Sequence, residues 1–172
     1  MKTTVKIGII GGIGLTLVAV AAYFEKQANL LKEACSTIAG AIIHQISFTN
    51  VSFTLMMNIA NKSDIDFTVT NQKYNVYVNN MLVAKIDNPD TVKVNARGTS
   101  TVNINVKFNP QDLLKKGIQN ITSLIKNKDN MIIEVKGYLS LKAGIISVTD
   151  YQVDERMTLK EILSPPKDVK KC

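Results

Sequence analysis

From Val51 to Ile59 the chain reads VSFTLMMNI, with Val51, Phe53, Leu55, Met57 and Ile59 at every second position. Successive side chains of a strand point to opposite faces. This spacing therefore puts five large apolar residues on one side and Ser52, Thr54 and Asn58 on the other. The same period returns at Val102, Ile104, Val106 and Phe108, interleaved with Asn103, Asn105 and Lys107. Strands with one apolar and one polar face need a second apolar layer to cover them, which points to antiparallel sheets packed face to face.

The rest of the chain after about residue 40 follows the same rule. Ile42, His44, Ile46 and Phe48 are expected on one face of a first strand. Asn61-Lys62-Ser63-Asp64 reads as a turn, followed by short strands at Ile65, Phe67 and Val69 and at Tyr74, Val76 and Val78. Asn79-Asn80 suits a tight hairpin that requires positive φ, leading into Met81 to Ile86. Val92 and Val94 form another strand, and Arg97-Gly98 turns the chain. Two more strands are carried by Ile133, Val135, Gly137, Leu139 and Leu141, then by Ile146, Val148, Tyr151 and Val153, with Lys142-Ala143-Gly144 between them. One helix interrupts the series: Asn109 suits its N-cap, Pro110 its first position and Asp112 its positive end. Leu114, Ile118, Ile121 and Ile125 make its apolar stripe, with Lys126 and Lys128 near its end. The expected fold is mainly β, a fibronectin-III or immunoglobulin-like antiparallel β-sandwich with one inserted helix.

The N-terminal quarter obeys a different pattern. Ile7 to Phe24 are eighteen uncharged, mostly apolar residues. As a helix they would extend about 27 Å, close to the roughly 30 Å of a bilayer's hydrocarbon core. Lys2 and Lys6 precede this run, whereas Glu25 and Lys26 after it cancel, so the N-terminus is expected in the cytoplasm and the domain outside it. Ala19-Val20-Ala21 also fits a signal-peptidase site, so the run is read as a membrane anchor with a cleaved signal peptide as the rival. Gly8, Gly12 and Gly14 resemble a dinucleotide-phosphate loop, but such a loop requires alternating βα units behind it, and the sequence turns to strands instead. Gly8 and Gly12 at G-x-x-x-G spacing would allow close helix contact and self-association. Residues 25–40 suit an amphipathic helical linker with Ala28, Leu31, Cys35 and Ile38 on one face and Gly40 closing it. The expected organisation is an anchor over 1–24, this linker, a sandwich over 41–163 and a basic tail over 164–172.

Composition narrows the chemistry. The net charge of +7 suits anionic surfaces, but the lysines are scattered, so specific nucleic-acid binding is not expected. Asn occurs sixteen times, in keeping with many short turns. Cys35 and Cys172 have no metal or redox spacing; they could pair in an oxidising compartment, and their pairing is left open. His44 is the one histidine, and no motif places a nucleophile or carboxylate beside it, so a structural role outweighs a catalytic one. Asp64-x-Asp66 and Asp87-Asn88-Pro89-Asp90 carry the oxygens of calcium sites, yet Asp and Asn are ordinary turn residues. Asn50-Val51-Ser52, Asn61-Lys62-Ser63 and Asn120-Ile121-Thr122 match glycosylation acceptors, as an Asn-rich chain does by chance. No catalytic, cofactor-binding or metal-ligating residue is assigned, and no cofactor is expected.

The run ISFTNVSFTLMMNIANKSDIDFTVTNQKYNVYVNNMLVAKI resembles the group-2 late-embryogenesis-abundant proteins, also called the water-stress and hypersensitive-response domain. Asn61 matches the family's strand-ending Asn, Tyr74 its aromatic, and Val76 to Asn80 its hairpin with Ala84 following. FNPQDLL and IIEVKGYLSL, with its Lys-Gly pair, fit the later part, so the resemblance covers residues 42–163. Lys62 stands where the family has Pro, and Asn80 where it has Gly; Asn tolerates the left-handed turn. The resemblance implies a fibronectin-III-like sandwich of about seven strands and one helix, without catalytic residues. It also implies stress protection and membrane or partner association. The expected function is a non-enzymatic, membrane-tethered interaction or stress-protective module. The alternatives are a structural adaptor of an envelope or virion assembly and a lipid-binding module. Expected partners are a membrane through residues 7–24, a protein partner or second copy, and an anionic surface.

Overall fold

The computed structural model describes residues 5–7, 16–114 and 130–164. In chain order the elements are β1 (Val5–Ile7), α1 (Thr16–Lys32), β2 (Cys35–Ile46), β3 (Val51–Ala60), β4 (Phe67–Val78), β5 (Met81–Asn88), β6 (Val92–Val94), β7 (Thr99–Phe108), α2 (Pro110–Leu114), β8 (Ile132–Ala143), β9 (Ile146–Thr158) and α3 (Leu159–Leu163). One sheet runs β1-β9-β8-β4-β5 with β6 also paired to β4; the other is β2-β3-β7. Every pairing is antiparallel. The mainly β sandwich expected from the period of two is the observed architecture.

The apolar alternation places the core. Val51, Phe53, Leu55, Met57 and Ile59 of β3 are buried together with Val102, Ile104, Val106 and Phe108 of β7. Those strands pair over ten positions without a register shift. Facing them are Phe67, Val69, Tyr74, Val76 and Val78 of β4 and Ile133, Val135, Leu139 and Leu141 of β8, all buried in the same cluster. At about 25 cal/mol per Å² of apolar surface, this interleaved layer is the main force holding the sheets together.

The turns follow their residues. Asn79 and Asn80 have φ of 47° and 67°, the left-handed pair a two-residue hairpin between β4 and β5 requires. Gly144 at φ 57° turns β8 into β9, and Arg97 at φ 55° turns β6 into β7. Asn109 Oδ1 accepts from the Gln111 N–H at 3.0 Å, the cap expected before Pro110. Ile118, Ile121, Ile125, Lys126 and Lys128 lie outside the described residues. Thr158 caps α3 reciprocally with Glu161, a pairing that satisfies two otherwise free donors.

Four expectations are corrected. The helix expected over 25–40 ends at Lys32, and Cys35 to Gly40 enter the sheet as the start of β2. There Ile38 packs into the core from a strand, a position a helical stripe and a strand face can both claim. Second, Ile42, His44, Ile46 and Phe48 do not form a buried face: β2 has register shifts between Ile38 and Gly40 and between Ile43 and Gln45. Such irregularities exchange the faces of a strand, which leaves Ile42 51% exposed. Third, the two short strands after residue 64 are one strand, β4, bent at Asn71 with φ 49°.

The fourth correction concerns the anchor. Ile7 opens no helix; it pairs with Ile146 in the sheet. The described part of α1 begins at Thr16 and holds nine uncharged residues before Glu25, about 13.5 Å of helix. No helix among the described residues is long and apolar enough to cross a membrane. Gly8, Gly12 and Gly14 lie outside the described residues, as do Cys172 and most of the basic tail. Cys35 carries no free thiol.

Candidate functional site

One end of the sandwich is built from polar loops. Strand β3 ends at Ala60, and the Asn61 backbone N–H donates to the Gly98 carbonyl at 2.8 Å. The Asn61 side chain is buried. Its Nδ2 donates to the carbonyls of Ile65 at 2.8 Å and Asn95 at 3.0 Å, and its Oδ1 accepts from the Ser63 N–H at 2.9 Å. The fully buried Ser63 hydroxyl lies 2.6 Å from Asn61 Oδ1 and 2.9 Å from the Ile65 carbonyl, and its single proton serves one of them. An amide is the group this corner requires, because it must donate to carbonyls on one side and accept on the other.

Two aspartates then fasten the loops from outside. Asp64 Oδ1 takes the Arg97 Nε–H at 2.7 Å, and Asp66 takes the Ala96 N–H at 2.8 Å and pairs with Lys93 at 2.8 Å. The Arg97 hydrogen bond first, then the one from Gln27, hold the Asp64 carboxyl below its usual range. The hydrogen bond from Lys93 first, then that from Ala96, does the same for Asp66. Exposed pairs of this kind contribute little to stability, so their role is to fix loop geometry.

Helix α1 docks on this corner. Gln27, fully buried, donates from Nε2 to Asp64 Oδ2 at 3.2 Å and accepts the Asp64 N–H at 2.9 Å. Ala28 and Leu31 are buried beside it, and the Tyr151 hydroxyl of β9 donates to the Ala34 carbonyl just past the helix. Before Gln27, among the described residues, only Phe24 still packs against the core, half-buried. Val20, Ala21, Ala22 and Tyr23 are all exposed. Consecutive helical residues point about 100° apart, so these four expose apolar surface nearly all round the helix.

The chemical candidates lie elsewhere and do not converge. His44 Nε2 is 2.9 Å from Thr54 Oγ1, whose proton goes to Asn105 Oδ1 at 2.7 Å. His44 therefore donates from Nε2, and the three side chains form a ladder across the polar face of β2, β3 and β7. Asp87 pairs with Lys73 at 3.8 Å, and the Asp90 N–H donates to Asn88 Oδ1, a local turn bond. No group of three His, Cys, Asp or Glu residues suited to a metal is found among the described residues. Asn50 lies in the β2–β3 turn, whereas the Asn61 amide is committed to the buried corner; Asn120 lies outside the described residues. Two shallow hollows of about 230 and 280 Å³ flank Tyr138, one lined by Lys136, Asp150 and Asp154, the other by Lys73, Asn75 and Lys85. Both fall below the roughly 300 Å³ at which ligand pockets begin.

The sequence places Ser63 in a turn and Tyr151 on a strand without their hydrogen bonds, and assigns Gln27 no role. Gln27 sits directly before Ala28 in the apolar stripe, and that adjacency is the one signal that could have marked it as buried.

Several solved structures are similar to the chain at low identity. A protein from Archaeoglobus fulgidus has 15% identity and a TM-score of 0.45, over 72% of this chain and 94% of that one. An Arabidopsis thaliana protein has 10% identity and a TM-score of 0.44, over 71% and 75%. A protein described as late embryogenesis abundant has 11% identity and a TM-score of 0.44, over 86% and 89%. No curated protein matches the chain. The sequence profile of the late embryogenesis abundant protein family matches residues 57–157, from the middle of β3 to the end of β9. That span is more than half of the chain and includes Asn61, Tyr74, the Asn79-Asn80 hairpin and Gly137. The chain belongs to the late embryogenesis abundant protein family.

Proposed function

We propose that this chain is a non-enzymatic stress-protective module of the water-stress and hypersensitive-response type, held at a membrane by the N-terminal half of α1. The observation that carries the tether is the run Val20-Ala21-Ala22-Tyr23, exposed and apolar around the helix. A helix apolar on all sides is at equilibrium in lipid or a protein core rather than in water. With about 13.5 Å of uncharged helix described, the mode is insertion from one side. Insertion from one side leaves Val5–Ile7, which pair with β9, on the same side of the membrane as the sandwich.

Family membership supports the protective role, through contact of the sandwich surface with other molecules. Carriage of lipid and an adaptor role in a larger assembly draw no specific support from the packed core. Flotation of the full chain with phospholipid vesicles tests the tether. Val20→Asp with Ala22→Asp, on exposed positions that spare the fold, should leave the protein at the bottom of the gradient. Equal flotation of this variant would refute the tether.

A further inference from the structure

The end of the sandwich from which α1 projects differs from the opposite end. At the α1 end lie the loop from Asn61 to Asp66 and, by register, the β8–β9 hairpin, since Lys142 pairs with Thr68 close to the start of β4. The tip of that hairpin carries Ile145, 49% exposed beside Gly144. Lys142 at its base and Lys62 in the neighbouring loop form no ion pair among the described residues. Arg97 and Lys93, by contrast, are occupied by Asp64 and Asp66. Lys26 lies on α1 one residue before the Gln27 that clamps the helix to this loop. The opposite end also has an exposed apolar side chain, Phe48 at 54%, but that turn lies far from α1 and has no lysine between Gln45 and Val51.

An apolar tip flanked by uncommitted lysines, on the end where an all-round apolar helix emerges, matches an anionic lipid leaflet: hydrocarbon for the isoleucine, headgroups for the lysines. Resting on the tether reading, we infer that this end is a second membrane contact, with Ile145 inserting at the interface and Lys62 and Lys142 binding anionic headgroups. The Gln27–Asp64 clamp makes the geometry definite. It fixes the helix to the loop end, so an inserted α1 brings Ile145 and both lysines toward the same leaflet.

The chain contains no Trp, so a single introduced one reports its own surroundings. Ile145→Trp and Phe48→Trp are compared in the full chain, on phosphatidylcholine vesicles with and without phosphatidylserine, using brominated lipids as quenchers. Thermal unfolding of both variants checks that they share the parent fold. The expected result is blue-shifted, quenched emission from position 145 on anionic vesicles, with position 48 unchanged. Lys62→Ala with Lys142→Ala should lower partitioning onto anionic vesicles about 30-fold, as two basic residues near an anionic surface would. Vesicle-bound protein with position 145 unquenched, or with lysine-independent partitioning, overturns the second contact and leaves the tether intact. Failure of the full chain to associate with any vesicle overturns both.

Discussion

Gln27 of α1 and Asp64 of the β3–β4 loop hold each other twice, amide to carboxylate at 3.2 Å and backbone N–H to amide oxygen at 2.9 Å. They are 37 residues apart, and this pair fixes where the N-terminal helix meets the sandwich. Gln27→Leu keeps the apolar contact of the stripe but removes both bonds. Leaving a part-buried N–H unpaired costs about 1–3 kcal/mol, and the rest of α1 docking depends on the same corner. The variant should unfold at a lower temperature, and proteolysis should cut between α1 and β2 before the sandwich opens. An unchanged cleavage pattern would show that Ala28 and Leu31 alone dock the helix.

This pair also marks how far the sequence was legible. Alternation at Val51–Ile59 and Val102–Phe108 located the two core strands because every second residue there is apolar, and the left-handed Asn79-Asn80 hairpin was readable from residue type. The edge strand β2 was not. Its two register shifts break the period, so Ile42 and Phe48 read as core and Ile38 as helix. Gln27 was hidden for a different reason: a glutamine beside an apolar stripe normally faces water, and only the loop from β3 brings a partner to it. The resemblance had singled out Asn61 as a strand-ending residue, but its network depends on Asn95 and Gly98, more than thirty residues away.

The same corner should add a small contribution to the acid limb of stability. Arg97 is the main reason the Asp64 carboxyl titrates below its usual 3.8, and Asp66 is lowered chiefly by Lys93. A carboxyl with a depressed folded pKa stabilises the fold above its unfolded pKa, and that contribution is lost as pH falls through the folded value. Stability should therefore decline as pH drops below about 3.8. Arg97→Ala should melt lower than the parent at pH 7, and the gap should narrow as Asp64 protonates in both. Melting curves across a pH series check this. A gap that stays constant down to the lowest pH would mean Arg97 acts through packing alone.

Asn61 should be more sensitive to its oxygen–nitrogen asymmetry than to its size. Asn61→Ala abandons the Ile65 and Asn95 carbonyls and the Ser63 donors, at a cost of about 2–4 kcal/mol. Asn61→Asp keeps the shape but turns an acceptor toward those carbonyls, and should be worse than alanine despite being nearly isosteric. Denaturant unfolding of the two variants ranks them. Aspartate tolerated better than alanine would contradict the donor assignment of Nδ2.

Gly137 tests a close approach of β4 to β8. It pairs with Tyr74, and a Cβ built on it would lie 2.1 Å from the Lys73 carbonyl oxygen, a backbone atom with no flexible side chain to yield. Gly137→Ala must therefore part β4 from β8 beside the fully packed Tyr74, whose hydroxyl donates to the buried Gln72 amide at 3.0 Å. The expected cost is at least about 3 kcal/mol, the upper range for overpacking. Gly144→Ala provides the contrast: it sits at φ 57° with nothing within 4 Å, so only left-handed strain of about 1–2 kcal/mol opposes it. Chemical denaturation of the two variants should separate them by at least about 1 kcal/mol, with Gly137→Ala the weaker. Equal losses would show that β4 and β8 can separate at Tyr74 without disturbing the core.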